Sequence, residues 1–320
     1  MTRLLLPFLA ALSFPARATR LQVSTVPCPI GGAPTKVYEK VVTNTLGGFD
    51  SDLAAYSDKG QFRQFAVSTC PDNLVSLYGT DMADPMDTAT QARVMSAVAA
   101  LSPTLPAPDA LEVWDRYVLA AATYKALGAP TLQLAEVYLE GSWTARDKAV
   151  GVIRGLEGPI VTRDLLENGR AELDKPLTDD QRRMVLFNLA RVAHRGGYPT
   201  ERDAFLERLH ATPGLTPREA EASQTLAHYG GTVEPALQDM AIAAFTQALR
   251  EELTMDQKVR ATYLLGDLLR RRGRGREALP LLTRVLAEES APLNLREMAG
   301  ALHRELLEAG VEADAAEPAR

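Results

Sequence analysis

The sequence predicts an α+β fold that is mostly α, a small β module followed by a much larger array of helices. Three observations carry that prediction. The only two cysteines, Cys28 and Cys70, stand in matching Cys-Pro corners between short β-branched runs in the first 82 residues. Beyond residue 111, three segments repeat one pattern of small and large apolar residues. The chain is 46% apolar but only 6% aromatic, and its richness in Ala, Leu, Arg and Glu favours helix over sheet.

The N-terminus reads as an export leader over residues 1–18. Arg3 precedes the apolar run Leu4 to Leu12, and Ala16-Arg17-Ala18 supplies small residues at the spacing a signal peptidase needs, which predicts cleavage after Ala18. No cysteine follows the run at lipobox distance, and no later stretch is long and apolar enough to span a bilayer, so no stable membrane insertion is expected after cleavage. The expected location is periplasmic or secreted. Loss of Arg3 and Arg17 takes the net charge from −6 to −8, a balance that argues against nucleic-acid binding.

Residues 19–82 form the expected β module. Leu21 to Val26, Thr35 to Thr45 and Phe62 to Thr69 have strand character, and the corners Cys28-Pro29-Ile30-Gly31 and Cys70-Pro71-Asp72-Asn73 punctuate them. A zinc ribbon uses two Cys-x-x-Cys corners in this order. Here each corner keeps its first thiol, and Gly31 and Asn73 replace the second. Between them, Gly47-Gly48-Phe49-Asp50-Ser51-Asp52-Leu53 reads as a turn, with the glycines supplying positive φ and the aspartates bonding nearby backbone N–H groups.

With the helical hairpins downstream, these corners and the Gly47–Leu53 segment resemble a bacterial family of unknown function in which a ribbon precedes tetratricopeptide-like helices. In a ribbon the two corners face one another across the metal. The resemblance therefore implies that Cys28 and Cys70 form a disulfide in place of zinc, with export supplying the oxidising compartment. In the chain-entropy description, closing that loop contributes about 4 kcal/mol. Zinc held by two thiols and remote histidines, or two unconnected thiols, are the alternatives.

Residues 83–110 read as a linker with one short helix, and 111–309 as tetratricopeptide-like repeats. The clearest unit runs from Val259 to Pro292, with Leu265-Gly266, Leu269, Gly273, Ala278 and Leu282 at repeat spacing. Weaker units run from Arg183 to Leu215 and from Trp114 to Trp143. Thr178/Gln181, Thr216/Glu219 and Thr254/Gln257 are capping boxes at the expected helix starts. Gly196-Gly197 and Gly230-Gly231 read as helix C-caps. Residues 310–320 have no apolar period and are expected to be disordered.

No nucleophile elbow, phosphate loop, His-Glu-x-x-His pair or dinucleotide fingerprint occurs, so neither enzymatic chemistry nor a cofactor is expected. The run Arg270 to Arg276 falls at a hairpin turn and reads chiefly as solvated. The resemblance to tetratricopeptide arrays also implies which positions line a concave groove. In the clear unit these are Arg260, Tyr263, Asp267, Arg270 and Arg271; in the Arg183 unit they are Met184, Phe187, Arg191, His194 and Arg195. Such a groove suits a protein or peptide partner of acidic character. The expectation is a non-enzymatic, exported interaction scaffold. A structural subunit of an envelope assembly, or an envelope hydrolase with an unrecognised site, are the alternatives.

Overall fold

The computed structural model describes residues 20–312. The expected leader at 1–18 and most of the expected tail lie outside the described residues. β1 (Arg20–Pro27) and β2 (Pro34–Val42) form an antiparallel ribbon, and β3 (Val67–Thr69) pairs antiparallel with β4 (Ser76–Tyr78). The Phe62–Thr69 stretch, expected as one strand, begins instead as a helical turn, α1 (Arg63–Ala66). The turn lets Arg63 grip Asp147 through two nitrogens, at 2.7 and 2.6 Å, a bidentate pair that outweighs local strand preference.

Cys28 and Cys70 stand at disulfide distance, with an S–S separation of 2.20 Å and Cα atoms 5.9 Å apart. The position that would carry a second thiol has a different use. Asn73 donates to the Ile30 carbonyl at 2.9 Å and so ties one corner to the other.

The helices are α2 (Thr88–Leu101), α3 (Val113–Leu127), α4 (Thr131–Val150), α5 (Gly158–Leu173), α6 (Asp179–Gly196), α7 (Pro199–Ala211), α8 (Pro217–His228), α9 (Glu234–Ala248), α10 (Met255–Arg271), α11 (Gly275–Ala287) and α12 (Leu293–Glu308). All three expected capping boxes form, at the starts of α6, α8 and α10. The clear unit is the hairpin α10–α11. Ala278 and Leu282 are fully buried in it, and Gly266 lies so close to Leu282 that a Cβ would meet that side chain at 3.2 Å.

Gly197 caps α6 with φ +76°, as expected, but Gly230-Gly231 does not end a helix. The chain passes from α8 into α9 through a π-turn, Tyr229–Val233. The widened turn frees the Gly230 carbonyl, which accepts from Arg202 at 2.8 Å.

Packing joins units far apart in sequence. The β module shares one apolar core with α2 and α3, where Val37, Val67 and Leu77 meet Val94, Val98 and Tyr117. The 83–110 segment thus contributes a core helix. Neighbouring helices pack as hairpins, yet the most extensive helix pairing is α4 against α9, and α12 reaches back to α5. These two contacts draw the helices around a central point, which is where the polar cluster lies.

Candidate functional site

The loop between β2 and α1 enters this centre. Gly48, at φ +79°, sits against the Leu156 carbonyl, so close that a Cβ would stand 1.8 Å from the oxygen. Phe49 N–H donates to Leu156 O and its own carbonyl accepts from Gly158 N–H, which stitches the loop to the entry of α5. The next three residues, Asp50, Ser51 and Asp52, are all at most 3% exposed.

Their helical partners come from α4, α6 and α10, and α9 joins through Glu234, which bonds Arg146. Arg146 of α4 makes five hydrogen bonds: from Nη1 to Asp50 (2.8 Å) and Asp52 (3.0 Å), from Nη2 to Asp52 (2.6 Å) and Glu234 (2.6 Å), and from Nε to Glu234 (2.9 Å). Arg195 of α6 donates to Asp50 at 2.7 Å, and its guanidinium carbon lies 3.6 Å from the centre of the Tyr56 ring. Tyr56 donates to Asp50 and Trp143 to Asp52. From α10, Asp267 accepts from Ser51 at 2.8 Å, Arg271 donates to Ser51 at 2.8 Å, and the Tyr263 hydroxyl donates to the Ser51 carbonyl. Arg270 and Arg271 both also grip Asp267.

Charge in this hub balances. Arg146, Arg195, Arg270 and Arg271 supply four guanidiniums, and Asp50, Asp52, Asp267 and Glu234 supply four carboxylates, all at most 6% exposed. Buried charge is tolerated when it is paired and hydrogen-bonded in this way. Burial alone would raise the Asp52 and Asp267 carboxyls, but the facing guanidiniums override it and hold both below the usual carboxylate range. Against the same burial effect, the Arg146 guanidinium holds Glu234 at about 2.

His194 closes one side of the hub. Its Nδ1 lies 3.4 Å from the Arg202 guanidinium, which can only donate, so Nδ1 accepts and the proton sits on Nε2. Nε2 is 2.8 Å from Glu234 Oε2, at ion-pair distance but without hydrogen-bond geometry. Burial, with Arg202 and Arg146 nearby, lowers the histidine below its ordinary value despite Glu234.

The residues expected in the groove therefore divide. Arg195, Tyr263, Arg270 and Arg271 do converge, but on the Asp50–Asp52 loop of the same chain, and they are enclosed. His194 is buried at their edge. Arg191 and Phe187, one and two turns earlier on α6, line an open cleft of about 490 Å³ with Lys148 and Arg218. Met184 and Arg260 stand on the surface, the latter 3.4 Å from Glu136. Two readings need correction. Asp50 and Asp52 do not chiefly serve their own turn, since the local bond from Ala54 N–H to Asp52 is long at 3.4 Å. Nor are Arg270 and Arg271 solvated; only the turn beyond them is.

Sequence reasoning missed Arg146, Glu234, Trp143 and Tyr56. A signal was present: inward-register arginines on apolar helices require buried counter-charges, and Asp50-Ser51-Asp52 was a free acidic pair between two positions of tight backbone. Among the described residues no group of three His, Cys, Asp or Glu side chains is placed to hold a metal, and no helix is long and apolar enough to cross a membrane. Comparison with protein-family models, curated proteins and solved structures finds no match to this chain.

Proposed function

We propose that the protein is a non-catalytic scaffold acting outside the cytoplasm, whose tetratricopeptide-like helices dock an acidic or C-terminal peptide segment of a partner protein. The docking site is the cleft between α4, α6 and α8. One observation carries this reading: Arg191 is half-buried and has no carboxylate partner among the described residues. It donates only to the Val150 and Val152 carbonyls and, at 3.4 Å, to Asn188. Burial and the neighbouring Arg195 lower its proton affinity, the mark of a cation short of counter-charge. Lys148 and Arg218, both exposed, add positive charge, and Phe187 offers an apolar face for a side chain. The hub one turn away supplies a precedent, because the same face of α6 already holds an acidic turn. Export is supported by the leader-like N-terminus and by the Cys28–Cys70 pair at disulfide distance.

The test is fluorescence anisotropy with acidic peptides bearing a free C-terminus. Lys148 and Arg218 are exposed, where an ion pair contributes at most about 1 kcal/mol, so reversing both charges with Lys148→Glu and Arg218→Glu should weaken binding about tenfold. Circular dichroism verifies that the double variant folds. Unchanged affinity in the folded variant would move any interaction off this cleft and leave the structural-subunit reading in its place.

A further inference from the structure

Where the end of α6, the start of α7, the π-turn and the end of α10 meet, a polar cavity of about 110 Å³ opens beside the hub. Arg202 and Arg271 line it and are only 5% and 4% exposed. Each leaves one nitrogen unused. Arg202 donates through Nε to Asp203 and through Nη1 to Gly230 O and His194. Arg271 donates through Nε to Asp267 and through Nη2 to Ser51 and the Arg195 carbonyl. Arg202 Nη2 and Arg271 Nη1 have no acceptor among the described residues and are not sealed from solvent, so both are free to meet a ligand in the cavity. Further positive potential comes from the start of α7, where Pro199 forms part of the wall, and from Arg272 at the cavity's edge, whose charge is shared with Asp239 at 2.9 and 3.0 Å. Glu234 is the only carboxylate in the lining, and Arg146 and His194 already engage it.

We infer that this cavity binds one small oxyanion, a group of phosphate, sulfate or carboxylate size, bridged between Arg202 Nη2 and Arg271 Nη1. Planar guanidinium forks suit such groups, and the volume admits one of them and excludes a nucleotide. Because Arg271 also holds Ser51, an anion here adds an acceptor to the same network that fixes the N-terminal loop, so binding also stabilises the folded chain. The cavity shares no lining residue with the peptide cleft, so either site can fail without the other.

Calorimetric titration of the full chain with inorganic phosphate, sulfate and acetate, at constant ionic strength in chloride, tests the proposal. At least one anion should bind saturably with one site per chain and raise the melting temperature. A preference for phosphate or sulfate assigns a tetrahedral ligand, and a preference for acetate assigns a carboxylate. Arg202→Gln should weaken binding about tenfold, the scale of one charge-assisted bond. Arg272→Gln, a change near the surface, provides a second folded variant and should weaken it about threefold through the lost charge. Absence of saturable binding by all three anions to the folded protein, or equal affinity in both folded variants, overturns the proposal.

Discussion

Arg146 concentrates the energetics of this protein in one side chain. Its five bonds join the N-terminal loop to α4 and α9, and its three carboxylate partners are all at most 2% exposed. Replacing it by Met, close in volume and uncharged, leaves Asp50, Asp52 and Glu234 short of counter-charge. Breaking a buried ionic network from one side costs about 3–5 kcal/mol. Urea denaturation should show that loss, and a change below about 1 kcal/mol would mean that solvent or rearranged partners replace the guanidinium. The hub also sets the acid response. Asp52, Asp267 and Glu234 are lowered in the folded chain, so the unfolded state takes up protons first as pH falls and stability is lost below about pH 4. His194 adds an earlier step. It is lowered and buried neutral, so only the unfolded chain gains its proton just below about pH 6.5, and stability declines from there downward. His194→Gln should flatten the pH 5–7 part of a stability profile while leaving the acid limb in place.

Among the elements, the π-turn and the three capped helices show what local sequence can and cannot specify. Thr178, Thr216 and Thr254 each accept from the backbone of the third helical residue, and the Gln or Glu there reaches back. Such boxes are complete within four residues, so the sequence alone makes them legible. Thr254→Ala should cost about 1 kcal/mol, measurable by thermal unfolding. Gly230 is legible in sequence only as a glycine. Its conformation is set by side chains from other helices: Arg202 takes its carbonyl, and a Cβ would stand 2.5 Å from the His194 ring. Gly230→Ala should therefore destabilise by about 1–3 kcal/mol through overpacking, and combining it with His194→Ala should recover part of that loss. Full additivity in that cycle would show that the glycine is there for the backbone alone.

Across the whole molecule, the order of elements is readable from the sequence and their closure is not. The hairpin α10–α11 announces itself through Gly266, Ala278 and Leu282, which meet within about thirty residues. The pairing of α4 with α9, the return of α12 to α5 and the seating of Asp50–Asp52 against α10 depend on contacts between segments up to some two hundred residues apart. The repeat register picks out Arg195, Arg270 and Arg271, which do point inward, but it also picks out Met184 and Arg260, which stand on the surface, and it passes over Arg146. It carries no information on what fills the space the inward arginines enclose. The consequence is that the β module acts as a wedge in the helical array, with the Asp50-Ser51-Asp52 loop as its tip. Loosening that tip should be felt far away in sequence.

Hydrogen–deuterium exchange on an Asp50→Asn, Asp52→Asn double variant measures this most directly. Protection should fall in Ala190–Gly196 and Leu264–Arg271, helical segments about 140 to 220 residues downstream, as well as in the β module. Protection lost only within residues 20–82, with α6 and α10 unchanged, would contradict the hub as the element that holds the two parts together.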